Sequence, residues 1–146
     1  MKYKCSIEIN KSLEELVKLW EDEDNFPFWQ DGFHSIELLE GEKGQVNSKS
    51  RILLNQGKRK MELIETILLN DLPHNKKALY EHKHMTNTQS SSFQSLGNNK
   101  CLYISEVEYL KFNGLMPKLM SKLFPGLFKK QSEKWMRQFK QFAENH

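Results

Sequence analysis

The sequence predicts an α+β domain in which a curved antiparallel sheet wraps a long C-terminal helix. Three observations predict it. From Leu115 to His146, the residues Met120, Phe124, Phe128, Gln131, Trp135, Phe139 and Phe142 recur at steps of three or four, so they share one helical face. Ahead of them lie seven segments with strand character, joined by mostly hairpin-length links. The chain nowhere alternates strand with helix in the manner of a parallel βαβ sheet.

The 146 residues are enough for one domain, 1–146, with a real core. Apolar and charged fractions of 38% and 28% are those of a folded globular chain. The net charge of +3 is unevenly placed: seven basic residues against Glu133 and Glu144 give the segment from Leu115 onward +5, and the first 114 residues −2. Such a basic helix can touch anionic lipid, or it can be a solvated face. No apolar run reaches the ~18–20 residues of a membrane span. The start, Met1-Lys-Tyr-Lys-Cys-Ser, has no signal-peptide pattern, so cytoplasmic residence is expected.

Lys2 to Asn10 alternates, with Tyr3, Cys5, Ile7 and Ile9 on one side, as in a half-buried strand. Ser12 with Glu15 fits a capping box opening a short helix, whose buried stripe is Leu13, Leu16, Val17 and Trp20. The acidic run Glu21-Asp-Glu-Asp24 opposes the helix dipole and ends it. A second short helical turn begins at Asn25-Phe-Pro27. Phe26-Pro-Phe-Trp-Gln-Asp-Gly32 has three aromatics in four positions, and is either a plug seating the helix pair on the sheet or a gate over one end of a cavity.

Strands are then expected at His34–Glu40, Gln45–Asn55, Lys58–Asn70, Ala78–Met85, Asn87–Leu96 and Lys100–Phe112. The links are a tight Gly41-Glu-Lys-Gly44 turn, Gln56-Gly57, an Asp71-Leu-Pro-His-Asn75 loop and Leu96-Gly-Asn-Asn99. The final helix, bent once at Pro125-Gly126, runs about 42 Å over roughly 28 residues. Burying its stripe calls for a wide, curved sheet, and an aromatic stripe over such a sheet implies an apolar cavity.

The order β-α-α-β6-α resembles the START/SRPBCC superfamily. So do the Phe26–Gly32 segment, the Ile36-Glu-Leu-Leu-Glu-Gly-Glu-x-Gly44 hairpin, the Lys60–Ile67 strand with its following Asp71-Leu-Pro73, and the Leu123-Phe-Pro-Gly-Leu-Phe-Lys-Lys-Gln131 tail. More narrowly, the chain resembles small bacterial proteins grouped with polyketide cyclase/dehydrase-like members. The resemblance spans essentially the whole sequence. It implies a helix-grip fold, with a seven-stranded antiparallel sheet around the C-terminal helix and two short helices after the first strand. It also implies a hydrophobic cavity between sheet and helix. Superfamily members bind lipids, sterols, polyketides, plant hormones or ubiquinone. Some are cyclases or hydrolases, and one branch stimulates a chaperone ATPase. The resemblance makes the first and last strands antiparallel neighbours. Cys5 then faces the far end of Lys100–Phe112, about seven residues from Cys101, too far for a disulfide.

Among residues able to do chemistry, Glu65 stands first. It shares a strand face with Met61, Leu63, Ile67 and Leu69. A carboxylate on an apolar face is costly unless paired and tends to a raised pKa, which suits a general acid or base. The other readings pair it with Arg51 or turn this face to solvent. Tyr80, His82 and His84 also alternate, and can line a polar end of the cavity or face water; a zinc site would need a third ligand that no spacing supplies. Tyr103, Ser105, Val107 and Tyr109 share one face of the last strand, unless a bend brings in Leu102, Ile104, Leu110 or Phe112 from the other.

The expected ligand-contacting set is Trp29, Glu65, Tyr80, Phe93, Tyr103 and Tyr109, with Met120, Phe124, Phe128 and Trp135 from the helix. Glu65, Tyr80 and His82 are the candidate acid/base groups. The sequence has no Gly-rich phosphate loop, Gly-x-Ser-x-Gly elbow, His-Glu-x-x-His or Cys-x-x-Cys, so neither metal nor cofactor is expected. With the aromatics of the basic helix expected to be buried, nucleic acid is not an expected partner. The leading expectation is binding of a small hydrophobic or lipid-like ligand. The alternatives are a cyclase, dehydrase or hydrolase acting on an apolar, polyketide-like substrate, and a chaperone-cofactor-like interaction module.

Overall fold

A computed structural model describes all residues 1–146. The chain runs β1 (Lys2–Ile9), α1 (Leu13–Glu21), a 3-10 turn (Glu23–Asn25), α2 (Phe26–Trp29), β2 (Phe33–Glu40), β3 (Lys49–Gln56), β4 (Arg59–Asp71), β5 (Asn75–His82), β6 (Met85–Gly97), β7 (Lys100–Phe112), α3 (Leu115–Leu123) and α4 (Pro125–Glu144). All seven strands form one antiparallel sheet in the order β1-β7-β6-β5-β4-β3-β2. The α+β expectation, with two short helices after the first strand, therefore holds.

Local chemistry accounts for the junctions. Ser12 caps α1 by accepting from the Glu15 amide at 3.4 Å, one half of the expected capping box, while the Glu15 carboxylate lies 3.5 Å from Lys11 Nζ. Gly32 opens β2 at a φ of 87°, and a Cβ there would lie 2.3 Å from the Asn55 carbonyl oxygen, so only glycine fits. The link before β3 is longer than the expected tight turn. It spans Gly41–Ser48 and is pinned by hydrogen bonds between Asn47 and Ile67 and between Ile67 and Ser48, so β3 begins at Lys49 rather than Gln45. The β5–β6 turn falls at Lys83-His84, so Met85 begins β6 instead of ending β5.

Two bulges reset the pleat. One, at Leu68 in β4, moves Leu69 off the face it was expected to share with Glu65 and brings Asn70 onto it. The other, at Leu110 in β7, leaves Leu110 exposed and turns Phe112 to the side of Tyr109, where their rings stack at 5.3 Å. The swap foreseen for the last strand is thus confined to its final residues. Tyr103, Ser105 and Val107 are buried, which settles the choice of inward face that their alternation left open.

The register places Cys5 opposite Ser105 and Cys101 opposite Ile9. Cys5 therefore faces mid-strand rather than the strand's far end, and the offset between the cysteines is four residues, shorter than expected. Both thiols are free and buried.

The core gathers at one end of the sheet. Cys5, Ile9, Leu16, Trp29, Phe93, Cys101, Tyr103, Met136, Phe139, Phe142 and Ala143 form one cluster. The long helix packs chiefly on β1, with α1 and α2 beside it. Its start is tied by the Tyr3 hydroxyl, which donates to the Phe128 carbonyl at 3.1 Å and lies 2.7 Å from Ser132 Oγ. Its end is tied by Lys140 Nζ, which donates to the Glu8 carbonyl at 2.7 Å. The helix breaks at Phe124, not at Gly126, which lies inside α4. Pro125 at the first position of α4 needs no amide partner and forces its predecessor out of the helical region; Phe124 sits at φ −133°, ψ 55°. The aromatic stripe is not buried along its whole length, because α3 and the first turn of α4 stand clear of the sheet.

Candidate functional site

With the helix seated on β1 and α1 on β6 and β7, the inner face of β3 to β5 is left open. The space left holds a cavity of about 1190 Å³, above the roughly 300–1,000 Å³ of an ordinary small-molecule site. One wall is the helical arm, with Met120, Leu127, Phe128, Gln131, Ser132, Trp135 and Met136. The other is the sheet.

The antiparallel register assembles the sheet wall in rows, because residues opposite one another project to the same side. One row is polar throughout: Ser50 is opposite Glu65, Glu65 opposite Tyr80, Tyr80 opposite Asn87 and Asn87 opposite Tyr109. All five line the cavity. The next row, Ile67, Ala78, Gln89 and Val107, is mostly apolar. Beyond it come Lys76, Ser91 and Ser105.

At the centre of the polar row, the Tyr80 hydroxyl donates to Glu65 Oε2 at 2.8 Å. Burial pushes the Glu65 carboxyl above its ordinary range, with the Tyr80 hydrogen bond and the Lys76 charge acting against that rise. Burial and the adjoining carboxylate together push the Tyr80 phenol well up. Arg51 is not the partner of Glu65. It lies on the outer face, bridging Glu37 and Glu62 at 3.4 Å each. The inward, unpaired-by-cation reading of Glu65 is the one realised.

Three residues of the wall carry a buried polar atom turned away from the open space. The indole Nε1 of Trp29, the indole Nε1 of Trp135 and Ser105 Oγ are buried without a hydrogen-bond partner. Native interiors leave few such groups, and these three lie packed behind the wall rather than open to the cavity. Trp20 is already committed: its Nε1 donates to the Tyr103 hydroxyl at 3.2 Å, and Lys76 Nζ lies 5.6 Å from its ring centre.

The Phe26–Gly32 segment packs as a plug. Trp29 meets Phe139 edge-on at 4.9 Å, and Phe26 bridges Trp29 and Phe33 at 5.8 and 5.6 Å. Trp29 and Phe26 also face the cavity, so the plug forms its end wall.

Of the ligand-contacting set expected from sequence, the cavity wall includes Trp29, Glu65, Tyr80, Tyr103, Tyr109, Met120, Phe128 and Trp135. Phe93 does not reach the wall. It is buried in the core, stacked on Tyr103 at 4.8 Å. Phe124 is 52% exposed, because the helix breaks there and carries its ring to solvent. His82 and His84 both border the cavity at the β5–β6 turn, their rings 5.3 Å apart, and burial with the neighbouring His84 and Lys83 lowers the His82 pKa. His84 sits in the turn, so it does not continue the strand alternation. Sequence reasoning missed Ser50 and Asn87 as members of the polar row. The alternation of β3 offers a signal for Ser50, whereas Asn87 is found only through the register.

No protein-family model matches the chain, and no curated protein matches it in sequence. Solved structures do match it in shape. A conserved protein from Geobacillus kaustophilus superposes with a TM-score of 0.81 at 16% identity, over 99% of this chain and 96% of that one. The Zhui aromatase/cyclase from Streptomyces sp. R1128 gives 0.77 at 10% identity, over 99% and 93%. A START superfamily protein from Mycobacterium smegmatis gives 0.73 at 15% identity, over 92% and 93%. At these identities the likeness is one of fold, and that fold is a helix grip, a curved seven-stranded antiparallel sheet closed by a C-terminal helix.

Proposed function

We propose that the protein binds a small hydrophobic or lipid-like ligand in the cavity between sheet and helix. The observation that carries this reading is the cavity of about 1190 Å³ in which an apolar helical wall faces the polar row of Ser50, Glu65, Tyr80, Asn87 and Tyr109. An apolar body would fill the space, and the polar end of the ligand would meet the polar row. Thermal-shift and native mass spectrometry with a panel of fatty acids, sterols and aromatic polyketides test it. A bound panel member should raise the melting temperature, and the rise should grow with the logarithm of its concentration once the site is saturated. A panel with no binder, and no protection of Trp29 or Trp135 fluorescence from an added quencher, would sink it.

A second reading is favoured by one feature, the Glu65–Tyr80 pair. A carboxyl raised by burial, 2.8 Å from a phenol inside an apolar cavity, is placed to hold or release a proton on a bound substrate. On this reading the protein acts on an apolar, polyketide-like substrate with Glu65 as acid/base and Tyr80 beside it. His82, at the cavity rim, has no comparable partner in that pair. Replacing Glu65 by Gln should then lower turnover at least about hundredfold while the ligand still binds. Unchanged turnover in Glu65→Gln would dismiss that role.

A further inference from the structure

The elbow between α3 and α4 exposes an apolar surface that the cavity does not explain. Leu115 is 81% exposed and Leu123 60%, with Met116, Leu119 and Phe124 exposed beside them. In α3, residues 115, 116, 119 and 123 fall within an arc of about 100°, and 118 and 122 follow along its edge. From Asn113 to Ser132 the chain carries Lys118, Lys122, Lys129 and Lys130 and no acidic residue. Exposed aliphatic side chains flanked by lysines on an amphipathic helix form the pattern of a segment that lies in a lipid interface.

We propose that the α3–α4 elbow docks on the surface of an anionic lipid bilayer, with Leu115, Met116, Leu119 and Leu123 entering the interface and the lysines meeting lipid phosphates and carboxylates. Charge selects this occupant. A second copy joined through the same face would set four lysines against four. Aliphatic chains dominate the patch, so it offers no platform for stacking bases. The elbow also supplies Met120 and Leu127 to the cavity wall, so docking brings that wall to the bilayer. Exchange of an apolar ligand with the membrane is a consequence that rests on the ligand-binding reading. The docking itself does not.

Flotation of the full chain with phosphatidylcholine vesicles, and with vesicles containing phosphatidylserine, tests the proposal. Affinity is expected to be at least tenfold higher with phosphatidylserine and to fall as salt is raised. Each lysine neutralised, as in Lys118→Gln or Lys122→Gln, should cost about fivefold. The double variant Leu119→Glu/Leu123→Glu should lose vesicle binding, while its circular dichroism and its uptake of a hydrophobic probe in vesicle-free buffer stay unchanged, since neither residue lines the cavity. Equal binding to neutral vesicles, no binding at all, or binding untouched by the double variant would overturn docking. So would a concentration-dependent dimer broken by that variant. Vesicle binding without probe uptake would instead count against the ligand reading alone.

Discussion

The last turns of α4 and the elbow formed by α3 with the first turn of α4 share one apolar spacing but meet different surroundings. Met136, Phe139, Phe142 and Ala143 lie on β1, α1 and α2 and are buried. Leu119, Leu123, Phe124 and Leu127 continue the pattern into solvent. The same contrast divides the sheet. Its β1–β7 side is core, while its β3–β5 side faces a cavity crossed by a polar row. Helical periodicity reports only that a face is apolar. Whether protein, ligand or lipid covers it depends on what lies opposite.

Stability should therefore concentrate at the packed end. Phe139→Ala removes a fully buried ring that touches Trp29 and Tyr103, and should destabilise the protein by about 3–5 kcal/mol in urea denaturation. A loss below about 1 kcal/mol would erase the distinction between the two ends. Tyr80→Phe should cost about 1–3 kcal/mol, since it strips the Glu65 carboxylate of its donor.

The Glu65 carboxyl is raised in the fold, so the protein favours its protonated form. Its ionisation imposes no cost at pH below the ordinary carboxylate range. The cost grows as pH climbs through the folded value and is complete above it. The stability of Glu65→Gln relative to the parent should accordingly rise from acid to neutral pH; a flat difference would show that burial does not raise this group.

Ala78→Phe sharpens the contrast within the sheet. The ring would have to enter the cavity from a buried position in the row beside Glu65, so probe uptake should fall at least about tenfold while stability falls by about 1–3 kcal/mol. Competition binding and denaturation read the two effects separately. At the elbow, Leu123→Ser should move stability by no more than about 0.5 kcal/mol, as for other exposed positions.

Much of this was legible in residue order. Alternation put Cys5 on the apolar face of β1 and grouped Tyr103, Ser105 and Val107 on one face of β7 without saying which way that face turned, and Ser12 with Glu15 marked the start of α1. Glu65 was legible as a carboxylate on an apolar face. Its partner was not, because Tyr80 meets it through the β4–β5 register, and a register depends on where the turns and bulges fall. The single extra residues at Leu68 and Leu110 moved Leu69 outward and Phe112 inward for the same reason. Phe93 and Phe124 were displaced from the expected wall by tertiary geometry: one lies behind Tyr103, and the other stands at a helix break.

Local patterns, which act between residues near in sequence, determined the class of fold, the strand and helix order, the caps and the basic charge of the C-terminal arm. Tertiary structure alone decided that the helix rests on β1 and leaves β3–β5 facing a cavity, that Ser50, Glu65, Tyr80, Asn87 and Tyr109 align, and that the elbow stands in solvent. Each of these depends on contacts between distant segments, and such contacts follow from the sheet's register and curvature rather than from any one stretch of chain.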